Sequence, residues 1–332
     1  FIICMGIYRL GRAIVEFESI PTVPTANEIL DRSFRRAASK MKLKKNKDRA
    51  NEEFVRAVSQ AIHDRLVLVM QSFPDFDSVP AFYRDIVDIM WGIVRIRKAL
   101  GSVGWAARWA RTHGPGLAYQ TRKSESPSRV RKKAVARLAS VVHQVEGDLA
   151  FLNEVRNVLR TLPHVSDEFT VVVAGYPNVG KSSFIRLVSS ATPEVAAYPF
   201  TTKGIIVGHR MVDRERVQFI DTPGLLDRPA AERSKFERQA LTAMVNLASV
   251  ILVILDASEQ CGYPLEDQFR LLHEVEEMVS VPVIPVVNKA DIAYFDGYIN
   301  MSTETGEGVA EVLENLLAFR NRSEEKGCKV TE

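Results

Sequence analysis

The ten residues from Gly175 to Phe184, GYPNVGKSSF, constrain this chain more than any other stretch. They stand between TVVVAG, a short β-branched run that reads as a strand, and sequence compatible with a helix. Gly175, Gly180, Lys181 and Ser182 satisfy GxxxxGK[ST] in the strand–loop–helix context that the motif requires. The glycines let backbone N–H groups turn inward around phosphates, and the helix N-terminus adds the positive end of its dipole. Lys181 supplies charge at the outer phosphate oxygens and Ser182 offers a hydroxyl to Mg²⁺. Tyr176, Pro177, Asn178 and Val179 complete the cradle, with Ser183 in the first helical turn beyond it. Such a loop needs a sheet to carry its strand.

The rest of the second half supplies one. IIVGHRMV and RVQFID flank a VDRE turn and read as a hairpin. VILVILDAS and VPVIPVVNKAD are continuous apolar runs of the kind buried on both faces of a sheet. Helical stretches at about 234–248, 264–279 and 307–320 alternate with them, which predicts an open, mostly parallel sheet with helices on both faces. Three further motifs follow in order. DTPG, residues 221–224, supplies Asp221 for Mg²⁺ and the Gly224 N–H for a γ-phosphate. NKAD, residues 288–291, supplies Asp291, whose carboxylate suits the paired N1–H and N2–H₂ donors of guanine. Adenine would leave that carboxylate unpaired. Asn288 supports the loop and base edge, and the Lys289 stem covers the ring. In MSTETGEG, the backbone of Ser302 and Thr303 is expected to meet the guanine O6. Together these imply GTP or GDP as ligand, with Mg²⁺.

The first half reads differently. VPTANEIL places Thr25 and Glu28 at capping-box spacing. Three long apolar seams follow. One runs from Phe54 through Val58, Ile62 and Leu66 to Val69, and a second from Phe82 to Leu100. The third runs from Val135 to Leu152. Near-heptad seams of this kind suit long helices packed nearly antiparallel. SFPDFDSVP, THGPG and SESPS are expected to break them. The expected organisation is an all-α helical bundle over 1–165, an α/β P-loop GTPase domain over 166–320 and a frayed tail over 321–332. Charge divides along the same line. Residues 1–170 hold 28 Lys and Arg against 18 Asp and Glu, and the remainder 16 against 23. A basic half joined to an acidic one suggests that the first faces a polyanion; a solvated helical surface is the plainer alternative.

Cys4, Cys261 and Cys328 are too few and too scattered for a disulfide framework or a zinc site, so a reducing, cytoplasmic setting is expected. No apolar run approaches a bilayer span, and no membrane partner is expected. The chain opens at Phe1, which leaves Met5 as a candidate start.

GYPNVGKSSF, YPFTTKGIIVGH, DTPGLLDRP and NKAD resemble the Obg-like GTPases of the translation-factor class. With PTANEILDRSFRRA and the helical first half, the chain resembles the Nog family of nucleolar GTP-binding proteins in a short, archaeal-type form. NRSEEKGCKVTE stands where eukaryotic members carry a long extension. The resemblance implies a role in large ribosomal subunit assembly, with an RNA or ribosomal partner; a monomer off the ribosome is expected. It places the first switch at PFTTKG, with Thr202, rather than Thr201, closing over Mg²⁺ and the γ-phosphate. Leu225 stands where many small GTPases orient water with glutamine, so slow hydrolysis is expected. Related GTPases hold a potassium ion with an asparagine at the position of Asn178; the other reading of Asn178 is a turn cap.

Two basic clusters remain, Arg35 to Arg49 and Arg122 to Arg137, both beside helix breaks. No RNA-stacking aromatic motif accompanies either, so recognition of RNA shape and backbone, not of bases, is expected. The leading expectation is a GTPase switch on the ribosome. A guanine-nucleotide sensor with little hydrolysis is the alternative.

Overall fold

The computed structural model of the chain describes residues 17–42, 47–162, 168–196, 204–221 and 241–327. They group into two compact units, 17–79 with 91–160, and 80–90 with 161–327. The helices of the first half are α1 (Ala26–Lys42), α2 (Lys47–Ser72), α3 (Ala81–Trp91), α4 (Ile93–Lys123), α5 (Pro127–Gln144) and α6 (Glu146–Leu159). The capping box forms at the head of α1. The Thr25 amide donates to Glu28 Oε2 at 2.9 Å and the Glu28 amide to Thr25 Oγ1 at 3.3 Å. Two backbone donors that the helix start leaves without partners are thereby satisfied.

The main seam joins α2 to α4. Val58, Ile62 and Leu66 of α2 are fully buried, as are the small residues Ala106, Ala107 and Ala110 of α4, and His63 Nδ1 lies 3.0 Å from the Ala107 carbonyl. Gly114 marks a close approach: a Cβ there would run into Ser59, whose hydroxyl donates to the Ala110 carbonyl at 2.7 Å.

Three expectations about the helices change. The seam from Phe82 to Leu100 is divided at Gly92, whose φ of 77° lies in the left-handed region that glycine enters without strain. Residues 80–90 then group with the second unit. THGPG does not end a helix: α4 runs through Pro115 to Lys123. The residue before proline is normally pushed out of the helical region by its own Cβ, and Gly114 has none. The third seam is divided at Val145, where α5 passes to α6.

The second unit holds β1 (Phe169–Ala174), α7 (Lys181–Val188), β2 (Glu194–Ala196), β3 (Ile205–Val212), β4 (Glu215–Asp221), β5 (Val250–Asp256), α8 (Leu265–Met278), β6 (Val283–Asn288), β7 (Ile299–Asn300) and α9 (Val309–Gly327). The strands form one sheet in the order β2-β3-β4-β1-β5-β6-β7. β1 pairs in parallel with β4 and β5, β5 with β6 and β6 with β7; β2–β3 and β3–β4 are antiparallel. The fold is thus a mostly parallel α/β sheet after a helical first half. Asp213 and Arg214, both at positive φ, turn the β3–β4 hairpin in the sense that matches strand twist. All seven residues of β5 are buried, as their unbroken apolar run requires. α9 runs to Gly327 where a frayed tail was expected from 321; the sequence up to Gly327 is free of helix breakers. Among the described residues, no helix is long and apolar enough to cross a membrane.

Candidate nucleotide-binding site

Parallel strands bring their carboxyl ends to one edge of the sheet. β1 ends at Ala174, β4 at Asp221, β5 at Asp256 and β6 at Asn288, and ligands of open α/β sheets bind at this edge. The loop after β1 is held by local backbone geometry. Gly175, Asn178 and Gly180 all have positive φ, at 135°, 64° and 104°. Gly180 must be glycine for a second reason: a Cβ would collide with the Asn288 side-chain amide. Lys181 opens α7 and folds back into the loop, its buried ammonium donating to the carbonyls of Gly175 at 2.7 Å and Tyr176 at 2.8 Å. A buried cation thus lies against two loop carbonyls at a helix N-terminus, where it and the helix dipole suit phosphate oxygens.

Ser182 Oγ donates to Asp221 Oδ2 at 2.5 Å, so two of the residues assigned to Mg²⁺ stand together. Magnesium keeps several waters and takes few protein ligands, so a hydroxyl and a carboxylate at the phosphate edge fit it. Among the described residues no cluster of three or more His, Cys, Asp or Glu forms a metal site elsewhere. Thr202, Gly224 and Leu225 lie outside the described residues, as does Thr201. Asn178 and Ser183 are exposed, while Tyr176 and Val179 are buried and Pro177 is half-buried.

The base end is built around Asn288. Its amide donates to the Val179 carbonyl at 2.7 Å and to Thr303 Oγ1 at 3.1 Å, and its carbonyl accepts the Thr303 amide at 2.9 Å. One buried side chain thus ties the phosphate loop to the loop after β7. Asp291 is exposed, with Oδ1 held by the Ser302 hydroxyl at 2.5 Å. That bond fixes the carboxylate and leaves Oδ2 pointing to no partner among the described residues, ready to accept a donor pair. The amides expected to meet O6 are already engaged: Ser302 N donates to the Glu307 carbonyl at 2.9 Å, and Thr303 N to Asn288. An O6 atom there would share the Thr303 amide with the Asn288 carbonyl.

Lys289 brings in residues that no motif announced. At φ 62°, it sends its ammonium to Asp256 Oδ2, 2.6 Å away. Asp256 is fully buried and also accepts the Ser258 amide and hydroxyl and the Cys261 amide, the last at 2.8 Å. Burial pushes its carboxyl up, but the Lys289, Ser258 and Cys261 bonds outweigh that and hold it below the usual carboxylate range. Gln268 of α8 pairs with both backbone groups of Asp256 and donates to the Tyr263 carbonyl at 2.9 Å. The Tyr263 ring lies 4.3 Å from that of Tyr176, in the phosphate loop. Burial pushes the Cys261 thiol up, which keeps it protonated and unreactive. Only the position of Asp256 at the end of an apolar run hints at this network in the sequence.

A family model described as the NOG1 N-terminal helical domain matches residues 17–166, and a second, described as Nucleolar GTP-binding protein 1 (NOG1), matches 235–291. The chain belongs to the NOG1 family. A relative in the archaeon Methanocaldococcus jannaschii, an uncharacterised protein, is 37% identical over 294 residues, covering 85% of this chain and 83% of its own. The nucleolar GTP-binding protein 1 of Drosophila melanogaster is 34% identical over 84% of this chain and 45% of its own length. That of Saccharomyces cerevisiae is 30% identical over 94% and 52%. The chain therefore spans about half the length of the relatives that carry that name. A crystal structure of a nucleolar GTP-binding protein 1 from Plasmodium falciparum is 29% identical and covers 51% of this chain and 95% of its own, with a TM-score of 0.45.

Proposed function

We propose that this NOG1-family chain is a magnesium-dependent guanine-nucleotide switch and slow GTPase. Its partner is the large ribosomal subunit or a precursor of it, met through ribosomal RNA. We place it in the cytoplasm, monomeric off the ribosome. The observation that carries the reading is the Asp291–Ser302 bond, which orients a carboxylate for guanine, on a loop tied through Asn288 to the phosphate cradle. Lys181 and the loop amides would hold the phosphates, and Ser182 and Asp221 would hold Mg²⁺, which supplies charge neutralisation at the phosphates. Names of relatives support the guanine nucleotide.

Slow hydrolysis rests on Leu225, which cannot orient water. Potassium stimulation through Asn178 is the compensating step. Its side chain is exposed beside the phosphate loop, where it is free to meet an ion. Its left-handed φ is a second reason for asparagine at that position.

Displacement of fluorescent GDP tests the base site: GTP should compete and ATP should not, and Asp291→Asn should shift preference toward xanthine nucleotides. Equal competition by ATP would sink the guanine assignment. In the same preparation, hydrolysis should run faster in potassium than in sodium and lose that difference in Asn178→Ala. Equal rates in both salts would remove potassium alone.

A further inference from the structure

The helix α4 spans 31 residues with seven Lys or Arg and no Asp or Glu. A solvated helix mixes both signs, because like charges three and four residues apart repel. Part of this charge is used locally. Arg97 pairs with Asp77 at 2.6 Å, Arg122 lies 3.9 Å from Glu52, and the Arg95 guanidinium stands 4.1 Å over the Phe151 ring. Lys98, Arg108 and Arg111 are exposed and enter no ion pair among the described residues.

Helical spacing sorts the rest by face. Lys98, Trp105, Arg108, Tyr119 and Lys123 recur at steps that keep them on the side opposite the buried Val103, Ala107 and Ala110. Trp105 is 42% exposed and Tyr119 is 51% exposed. The two rings stand about 21 Å apart along the axis, at 1.5 Å per residue. α5 and α6 pack alongside and leave two grooves. One, of about 380 Å³, is lined by Trp105, Gln144 and Asp148; the other, of about 440 Å³, by Gln120, Lys133 and Arg137. Along the exposed side of α4 the rings of Trp105 and Tyr119 thus alternate with Lys98, Arg108 and Lys123, and Lys133 and Arg137 stand on the neighbouring α5 of the same unit. The linear sequence hides this, since Trp105 is far in sequence from Lys133.

We propose that this α4–α5 face docks RNA bearing unpaired bases, with a base stacked on Trp105 and phosphates met by Lys98, Arg108, Lys133 and Arg137. The proposal rests on the reading of an RNA partner and adds what part of the RNA is met. Stacking on aromatic rings beside a cationic track is how proteins hold splayed bases, whereas paired RNA offers only shape and backbone. Gln144 and Asp148 present hydrogen-bonding groups to the edge of a base in the first groove. A protein partner would need contiguous apolar area at its centre, and here the rings are separated by charge.

The test is anisotropy of the full chain with two labelled RNAs of equal length, one a hairpin with an open loop and one a blunt duplex. Trp105→Ala should weaken the hairpin about tenfold and leave the duplex and the salt slope unchanged, with Trp105→Phe restoring most of the loss. Lys133→Gln with Arg137→Gln should weaken both RNAs and lower the slope of log affinity against log salt by about two. GDP binding and the thermal unfolding of the helices followed by circular dichroism should be unchanged in every variant, which checks the fold of both units. Unmutated chain that binds hairpin RNA, with Trp105→Ala indistinguishable from it or equally weakened on both RNAs, overturns the proposal alone. If the unmutated chain binds neither RNA while still binding GDP, the RNA-partner reading falls with it. An acidic peptide that displaces the hairpin at equal or lower concentration than competing RNA would assign the face to protein.

Discussion

Asp256 shows how a residue outside every motif can set the behaviour of one inside. Lys289 sits in a left-handed conformation with its ammonium drawn to Asp256, and Asp256 is fixed by donors from two further residues. Its replacement by asparagine leaves the shape and removes the charge that orients the Lys289 stem. Dissociation of fluorescent GDP should then quicken about tenfold, equivalent to about 1.4 kcal/mol. Preference for guanine over adenine should persist, since Asp291 and Ser302 are untouched. An unchanged dissociation rate would reduce Asp256 to a strand-end cap. The pH sign follows from a depressed carboxyl: the contribution is present above the ordinary carboxylate value of about 4 and is lost as pH falls through the lower folded value. Asp256→Asn should flatten that acid limb. Residues such as Lys181, Asn288 and Asp291 are legible in the sequence because phosphate, loop and base dictate both type and spacing. Asp256, Gln268 and Tyr263 are not, because their partners are joined only after β5, α8 and β6 assemble.

At the scale of elements, the sequence is most legible where one period holds over a whole segment. The fully buried strand β5, the largely buried β6 and the capped start of α1 follow directly from apolar runs and a capping box. Breakers are harder to read, because their effect depends on the neighbours they meet. Gly92 ends one helix through a left-handed φ, whereas Gly114 and Pro115 lie within α4. Packing against α2 decides the second case. Gly114→Ala should destabilise the helical unit by about 1–3 kcal/mol, the usual cost of overpacking, because Ser59 must yield and its bond to Ala110 is lost with it. Trp91, Trp105 and Trp109 are the three tryptophans, so urea unfolding followed by their fluorescence reads this region. Adding Ser59→Gly should recover part of the loss through coupling of neighbours. Additive losses would mean that the two residues do not constrain the crossing.

Across the whole molecule, a basic helical half is joined to an acidic half that carries the nucleotide motifs. In this account the first docks on RNA and the second sets when it does so. Loops that close on a γ-phosphate and Mg²⁺ change the face offered to a partner when the phosphate leaves. The basic residues Lys44 and Lys45 lie outside the described residues, whereas Arg129, Lys132, Lys133 and Arg137 stand exposed on α5. The most direct measurement is co-sedimentation of the full chain with large-subunit particles in GDP, in GTP and in a non-hydrolysable GTP analogue. Retention in the analogue should stand several-fold above or below that in GDP, with GTP moving toward the GDP level as it is hydrolysed. Equal retention in all three nucleotides, or none in any, would contradict a nucleotide-controlled ribosomal switch.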